Sequence, residues 1–322
     1  MRTTALWAVI AMCSAGTAGA GPIEEHDVVI YGGTSAGIAA AVQVARMGRS
    51  VVLIEPTRYV GGLSAGGLGA TDIGNKAAIG GIAREFYGRV QRHYAEDSAW
   101  VHESREEYFS RMRREPDPDT MWTFEPHVAR TIFQALLREH QVRVVYGERL
   151  DRAQRPPTRR RRLQEIRMES GRLFRGRVFI DATYEGDLTA VAGVSYAVGR
   201  EPNALYGETL NGVQTANAVH HQFTVPVDPY VVPGDPASGL LPRLSEDGPG
   251  VEGEGDHRVQ AYCFRMCLTD VPENRVPFRR PPGYDPRQYE VLLRYLTAAP
   301  TAAISHNVPM PNRKTDTNIN GA

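Results

Sequence analysis

Three segments near the N-terminus have the clearest pattern of hydrophobic and polar positions. His26–Tyr31 and Ser50–Ile54 are short apolar runs of strand length. Ser35–Met47 has apolar residues at helical spacing and ends before Gly48. The pattern predicts a strand–helix–strand unit, which should be parallel and right-handed.

Further elements follow before residue 200. The stretch Asp97–Thr120 is charged, contains two prolines and is predicted to be irregular. Elsewhere the spacing of apolar residues predicts two helices, Gly81–Tyr94 and Pro126–His140, and three strands, Val142–Leu150, Leu163–Glu169 and Leu173–Ala182. We expect the three strands to form a β-meander beside the strand–helix–strand unit. Because that unit is parallel, the predicted fold class is α/β.

The pattern changes beyond Ala197, where prolines and glycines separate short apolar runs. One helix is predicted there, Asp285–Thr297, and the polar stretch Asn312–Ala322 is not expected to form a strand. We therefore predict two domains, an α/β domain over 21–200 and a second α+β domain over 201–322.

Residues 1–20 are predicted to be a secretory signal peptide. A start with one positive charge precedes the apolar run Ala5–Cys13, which is too short to span a bilayer, and small residues lead to Ala20. The protein is therefore expected to be exported, to the periplasm or the extracellular space. The alternative is a buried N-terminal helix or strand. No other segment is apolar enough to cross a membrane.

Charge and cysteine content exclude several classes of partner. Acidic and basic residues balance at 37 each, so no overall field attracts nucleic acid. The basic run within Arg152–Arg162 lacks interleaved aromatics and is predicted to be a solvated hairpin loop. Cys263 and Cys267 would be too far apart on one strand for a disulfide, and no second ligand pair suggests a metal site. The expected partner is a small-molecule substrate.

The turn between the first strand and the first helix consists of small residues. Glycines permit a tight bend and close packing of the helix on the sheet, and free N–H groups at the helix start bind a pyrophosphate. The segment therefore predicts a dinucleotide site in a Rossmann-like domain. Thr34 replaces the second glycine of the usual fingerprint, so Gly33 or a hydroxyl from Thr34 or Ser35 is expected to compensate. The predicted residues are Gly32, Gly33, Thr34, Ser35, Ala36 and Gly37.

Two later features narrow the cofactor. Glu55 closes the second strand, where an acid accepts hydrogen bonds from a ribose 2′-hydroxyl and disfavours a 2′-phosphate. This indicates FAD or NAD rather than NADP, although an exposed strand-end glutamate is the alternative. The pair Gly61–Gly62 follows this acid, at the place where the chain of many flavoproteins passes the diphosphate and ring of the flavin. A later strand that ends in Ala182–Thr183 would return to the sheet beside the cofactor. A plain loop and a generic strand–turn–helix are the alternatives for these two.

The sequence resembles a known group, the exported bacterial FAD-dependent oxidoreductases of the glutathione-reductase-like superfamily that are sometimes labelled xanthan-lyase-like. The resemblance rests on VVIYGGTSAGIAAAVQVARMGRSVVLIEP, GGLSAGGLGATDIG, FEPHVARTIFQALL, FIDATYEGDLTAVAGVSYAVGRE and VQAYCFRMCLTDVPENR. It implies FAD as the cofactor, with Gly32–Gly37 and Glu55 on the ADP half and Gly61 and Gly62 near the flavin. Leu150, Ala182 and Thr183 would line the adenine side, and Pro56 and Arg58 complete the predicted cofactor-binding set.

The chain departs from that group in length. Its members usually continue past the segment that ends here in TDTNINGA, so the chain is expected to be C-terminally truncated and its second domain, which would carry the substrate, incomplete. The predicted function is oxidation of a small organic substrate, carbohydrate-related compounds included, by hydride transfer to FAD. The alternative is a non-catalytic or defective dinucleotide-binding fragment. A polysaccharide lyase is suggested by the group's label alone.

No catalytic residue is assigned from the sequence. Histidine is suited to proton transfer near neutral pH, but a surface or structural role fits each candidate at least as well. The candidates are His127, His220, His221, His257, Glu185 and Asp187.

Overall fold

The computed structural model describes residues 23–159, 162–219, 222–260, 265–302 and 306–318. The predicted signal peptide, His220, His221 and Cys263 lie outside the described residues.

A five-stranded sheet forms the centre of the fold and confirms the predicted strand–helix–strand unit. β1 (Ile23–Tyr31) pairs in parallel with β2 (Val51–Glu55) on one side and with β7 (Leu173–Asp181) on the other. The helix α1 (Ser35–Arg46) connects β1 to β2. The spatial order of the strands is β3-β2-β1-β7-β6. The bounds are Ile23–Tyr31 for β1, Ser35–Arg46 for α1, Val51–Glu55 for β2, Arg143–Tyr146 for β3, Glu165–Arg167 for β6 and Leu173–Asp181 for β7.

The sheet is covered on both faces, which explains why β2 is apolar except for its last residue. Ile30 and Leu53 pack with helices on one face, whereas Val29 and Ile54 face a second cluster that includes Phe174. All five residues of β2 are buried. Strands buried on both faces read as continuous hydrophobic runs, as the sequence pattern does here.

The predicted three-stranded β-meander is wrong in its first strand, because β3 lies at the opposite edge of the sheet from β6. The segment Val142–Leu150 divides at Gly147, which has a φ of +73°. Residues before the glycine pair in parallel with β2 as β3. Residues after it pair antiparallel with the end of β6, because the Glu169 N–H donates to the Arg149 carbonyl (2.8 Å) and the Asp151 N–H to the Arg167 carbonyl (2.9 Å). β6 then pairs antiparallel with β7.

Helices cover one face of the sheet, and one of them, α4 (Arg105–Met112), was not predicted from the sequence. The helix predicted over Gly81–Tyr94 forms as α3, while the stretch Asp97–Thr120, expected to be irregular, contains α4. α4 begins with a capping box, in which Ser104 and Glu107 each bind the other's backbone N–H. The bounds are Gly62–Gly66 for α2, Gly81–Tyr94 for α3, Arg105–Met112 for α4 and Pro126–Glu139 for α5.

Short elements make up the rest of the described chain. Within the basic run, two residues on each side form the predicted hairpin as β4 and β5. A second sheet has the order β8-β10-β9. The bounds are Thr158–Arg159 for β4, Arg162–Leu163 for β5, Asp187–Val191 for α6, Asn203–Tyr206 for α7, Cys267–Thr269 for β8, Glu290–Ala298 for α8, His306–Met310 for β9 and Lys314–Asn318 for β10.

The expectation that the polar C-terminal stretch forms no strand is wrong, because Lys314–Asn318 is β10. Two of its polar side chains, Asp316 and Thr317, are buried and have hydrogen-bond partners. Asp316 is fully buried, and its carboxylate accepts hydrogen bonds from Arg265 at 3.0 and 2.6 Å and from the Ala70 N–H at 3.2 Å. Paired polar groups can occupy a buried strand that hydrophobicity alone does not predict.

Across the described ranges, no helix combines the length and the apolar character needed to span a bilayer.

Candidate dinucleotide site

A cavity of about 890 Å³ opens where β1, β2 and β7 end. Gly32 follows β1, Glu55 closes β2 and Thr183 follows β7, and all three residues line it. Ligands of open parallel sheets bind at the carboxyl ends of the strands. The position of the cavity is therefore the one that the strand–helix–strand unit predicts.

Thr34 caps α1 and joins it to the end of β7. Its hydroxyl accepts a hydrogen bond from the Gly37 N–H (3.2 Å) and donates one to the Ala182 carbonyl (2.8 Å). The Thr34 hydroxyl, one of the groups expected to compensate for the missing glycine, therefore already makes hydrogen bonds within the protein. Ser35 and Ala36 are exposed, and their N–H groups have no hydrogen-bond partner among the described residues. These donors, at the positive end of the helix dipole, are suited to bind an anion.

Backbone contacts explain two of the glycines in this turn. Gly32 has a φ of +106°, and a Cβ there would lie 2.7 Å from the carbonyl of Ala182. A Cβ on Gly33 would lie 2.7 Å from a carboxylate oxygen of Glu55. The turn therefore packs directly against the ends of both neighbouring strands.

Glu55 is buried, with 6% of its surface exposed, and its carboxylate is held by the backbone. Oε2 accepts the Gly33 N–H at 2.8 Å, and Oε1 accepts the Thr57 N–H at 2.7 Å. Each carboxylate oxygen can accept a further hydrogen bond. Since Glu55 also lines the cavity, it can receive the two hydroxyls of a ribose.

The glycine pair after β2 has two different roles. Gly61, with a φ of +107°, donates its N–H to the Gly33 carbonyl at 2.7 Å and lies outside the cavity lining. Gly62 lines the cavity beside Tyr184, whose hydroxyl accepts the Leu63 N–H at 2.7 Å and leaves no room for a Cβ on Gly62. Tyr184 thus joins the turn after β7 to α2.

Asp181 organises the turn that follows β7. Its carboxylate accepts hydrogen bonds from the N–H and hydroxyl of Thr183 (3.0 and 2.7 Å) and from those of Thr189 (2.8 and 3.0 Å). Burial alone would raise the pKa of Asp181, but these hydrogen bonds outweigh it and the pKa is lowered. The Thr183 hydroxyl accepts the Gly186 N–H at 2.9 Å, which fixes the turn at the rim of the cavity.

Leu150 lies at the other end of the cavity, in the segment that begins the meander. Its N–H donates to the hydroxyl of Tyr31 at 3.0 Å, and burial raises the pKa of Tyr31. Arg149, Arg152 and Glu169 line the cavity around it.

The structure brings half of the predicted site residues to the cavity wall. These are Gly32, Thr34, Glu55, Pro56, Gly62, Leu150 and Thr183. Gly33, Gly37, Gly61 and Ala182 pack behind the wall, Ser35 and Ala36 are exposed at the start of α1, and Arg58 is exposed outside the lining. Some lining residues are absent from the predicted set although they lie within or beside its motifs, and others come from different elements. They include Tyr59, Tyr184, Arg130 and Arg149.

A second, smaller cavity of about 280 Å³ surrounds Glu125, which is 2% exposed. Glu125 accepts hydrogen bonds from Lys314, from Asn312 at 2.7 Å and from Tyr94 at 3.0 Å. The Nδ1 atom of His127 lies 3.9 Å from the carboxylate. This candidate base is therefore at the second cavity and not at the first.

The other candidate proton-transfer residues lie in different places. His257 is exposed, whereas Glu185 and Asp187 line the larger cavity. Among the residues that the structure describes, no histidine lines that cavity, and no group of three or more His, Cys, Asp or Glu side chains could hold a metal ion.

Comparison with a family model identifies the class of the chain. The model described as "FAD dependent oxidoreductase" matches residues 27–322. No curated protein sequence matches the chain.

Several solved structures share part of the architecture. L-proline dehydrogenase from P. horikoshii has 14% identity and a TM-score of 0.36, over 56% of this chain and 59% of that one. L-amino acid deaminase from Proteus vulgaris has 16% identity and a TM-score of 0.38, over 58% and 54%. A flavin-containing monooxygenase from Stenotrophomonas maltophilia has 17% identity and a TM-score of 0.31, over 50% and 38%. The chain therefore spans less than two thirds of the length of each.

Proposed function

Because the chain belongs to the FAD-dependent oxidoreductase family, we propose that it oxidises a small organic substrate, carbohydrate-related compounds included, by hydride transfer to FAD. FAD is the cofactor of this family, and Glu55 is the observation that connects it to this chain. The carboxylate is buried at the end of β2, held by two N–H groups, and open to the cavity.

The residues of the cavity and of the adjoining start of α1 fit the ADP half of FAD in their chemistry. The free N–H groups of Ser35 and Ala36 suit the diphosphate, and Glu55 suits the ribose of the ADP half. The close approach at Gly32 and Gly62 keeps the cavity free of side chains at these two positions. When bound, FAD supplies a two-electron acceptor for the substrate hydride. The protein's own contribution is to bind and orient it.

The test is to express residues 21–322 and record the visible absorption of the purified protein, before and after reconstitution with FAD. A yellow protein that bleaches with a chemical reductant is expected, and a screen of small alcohols, amines and sugars with a dye acceptor then identifies the substrate class. A colourless chain that cannot be reconstituted would instead favour the alternative of a defective dinucleotide-binding fragment.

We further propose that residues 1–20 direct export, on the charge and apolar pattern described above. Expression of the full chain in a bacterial host should yield a protein in the periplasm or medium whose N-terminus begins near Gly21. A cytoplasmic protein that retains Met1 would contradict export. The expected C-terminal truncation stays a prediction, which reading the coding DNA beyond Ala322 would test.

A further inference from the structure

A half-buried guanidinium without an acidic partner lies at the FAD cavity. Arg130, on α5, lines the cavity, and among the described residues no carboxylate lies within salt-bridge distance of it. Its guanidinium carbon lies 5.3 Å from the centre of the Tyr59 ring. Such a contact orients a cation but leaves its charge uncompensated.

Packing places Arg130 at the end of the cavity where α1 begins. Phe133, one turn further along α5, lies against Gly61, where a Cβ would be 2.9 Å from its ring. Gly62 adjoins Thr34, whose Cα would be 3.3 Å from a Cβ on that glycine. Since residues three apart share a helix face, Arg130 borders the region between α2 and the start of α1.

The charge of the wall favours a role for this arginine in binding an anionic ligand, because with Arg130 the wall has only one more acid than bases. Four carboxylates and three guanidiniums line the cavity, and one of the guanidiniums, Arg152, is paired with Asp187 at 3.3 Å. Without Arg130 the wall has two more acids than bases. A diphosphate bound there would then add charge of the same sign, which is unfavourable in a partly desolvated site. The charged lining residues are Glu55, Glu169, Glu185, Asp187, Arg130, Arg149 and Arg152.

We propose that Arg130 binds the diphosphate of FAD and that Tyr59 holds its guanidinium against the cavity wall. The planar guanidinium donates two parallel hydrogen bonds to phosphate oxygens, and the backbone N–H groups at the start of α1 donate the others. This role rests on FAD binding and requires no particular substrate or turnover.

The test measures the dissociation constants of ADP and FAD by calorimetry and flavin fluorescence for the whole chain and three variants. Arg130→Gln should weaken both ligands by about 10- to 100-fold, the effect of losing a hydrogen bond to a charged group. Arg130→Lys should bind both ligands more weakly than the unmodified chain but more tightly than Arg130→Gln, because it keeps the charge and loses the paired hydrogen bonds of the planar guanidinium. Arg138→Gln is the matched control, since Arg138 is exposed on the same helix and does not line the cavity.

Ionic strength provides a second measurement. The affinity for ADP should fall with added salt in the unmodified chain and fall less steeply in Arg130→Gln, because one charge contact is missing. The proposal is overturned if Arg130→Gln binds ADP as well as Arg138→Gln does, or if Arg130→Lys is as weak as Arg130→Gln. An unmodified chain that binds neither ligand would overturn FAD binding itself, which separates the two failures.

Discussion

Glu55 shows how one side chain can be both part of the fold and part of the site. Its two oxygens hold the N–H groups of Gly33 and Thr57, so the carboxylate fixes the turn before α1 and the turn after β2. Glu55 also lines the cavity. A buried carboxylate held by N–H donors stays in place to receive further donors from a ligand.

Substitution of Glu55 by Gln should therefore affect both properties. One half of the amide must present an NH₂ group to a backbone N–H, which leaves a buried donor unsatisfied at a cost of about 1–3 kcal/mol. We expect a lower free energy of unfolding in urea and at least about tenfold weaker FAD binding by fluorescence titration. Glu96→Gln, at an exposed position, is the control. Unchanged FAD affinity in Glu55→Gln would contradict the assignment to the ribose.

The residues that sequence could predict at the site are those near each other along the chain. Glu55 was identifiable because it ends the strand that follows the glycine-rich turn. Arg130 reaches the same cavity from α5, and no spacing in the sequence reveals this. Tyr184 directly follows Thr183, but its contact with Leu63 depends on the tertiary structure. The capping role of Thr34 also depends on Ala182, so it became visible only with the strand order.

At the scale of elements, Asn312, in the turn between β9 and β10, makes four of the hydrogen bonds that attach this hairpin to the helical layer. Asn312 accepts the N–H groups of Val101 and His102 (2.7 and 3.2 Å) and donates to the Ala99 carbonyl (2.9 Å) and to Glu125 (2.7 Å). Its φ of 60° lies in the left-handed region, which asparagine tolerates better than most residues. The polar C-terminal sequence therefore forms an ordered hairpin.

Asn312→Ala should destabilise the protein by about 2–4 kcal/mol, because it breaks a buried hydrogen-bond network and leaves several partners unsatisfied. The change is measured as the free energy of unfolding in urea. Asn307→Ala, an exposed position on β9, should have little effect. Equal stability of the two variants would show that the hairpin does not depend on this attachment.

The start of the central sheet is joined by an ionic network at Glu24 of β1. Hydrogen bonds from Arg143, opposed by burial and assisted by Arg172, lower the pKa of Glu24 from 4.5 to about 2. A depressed folded-state pKa stabilises the fold fully above 4.5, and this stabilisation is lost as the pH falls towards about 2.

We therefore expect Glu24→Gln to lower stability at neutral pH and to approach the unmodified protein as the pH falls through that window. Urea unfolding at several pH values measures the difference. Glu25→Gln, the exposed neighbour on β1, should show no such convergence. A gap that stays constant with pH would indicate that the pKa of Glu24 is not depressed.

Element prediction succeeded where local pattern and tertiary packing agree. The strand–helix–strand unit and α3 were predicted closely, since apolar spacing determines both. β10 was missed because its buried side chains are polar, and α4 was missed because its starting signal, Ser104 with Glu107, lies in a charged stretch with few apolar residues. The first strand of the meander was too long because Gly147 was not recognised as its break.

At the scale of the whole molecule, a ligand that binds only the folded chain stabilises it. The free energy of unfolding should rise by about 2.7 kcal/mol at a FAD concentration a hundred times the dissociation constant. We expect FAD to raise the midpoint of thermal unfolding, measured by circular dichroism. Riboflavin, which lacks the ADP half that the residues of the cavity fit, should raise it less. An equal shift for both would contradict the placement of the ADP half in this cavity.

The contact of Gly32 and Thr34 with Ala182 has a consequence for biosynthesis. β1 lies between β2 and β7 in the sheet, and β7 follows α5 along the chain. A nascent chain that has emerged only as far as α5 therefore contains the glycine-rich turn and Glu55 but not Ala182 and Thr183, which pack against that turn. The cofactor is therefore not expected to bind stably before β7 has been synthesised. Loading must wait until the ribosome has released β7 and the turn after it.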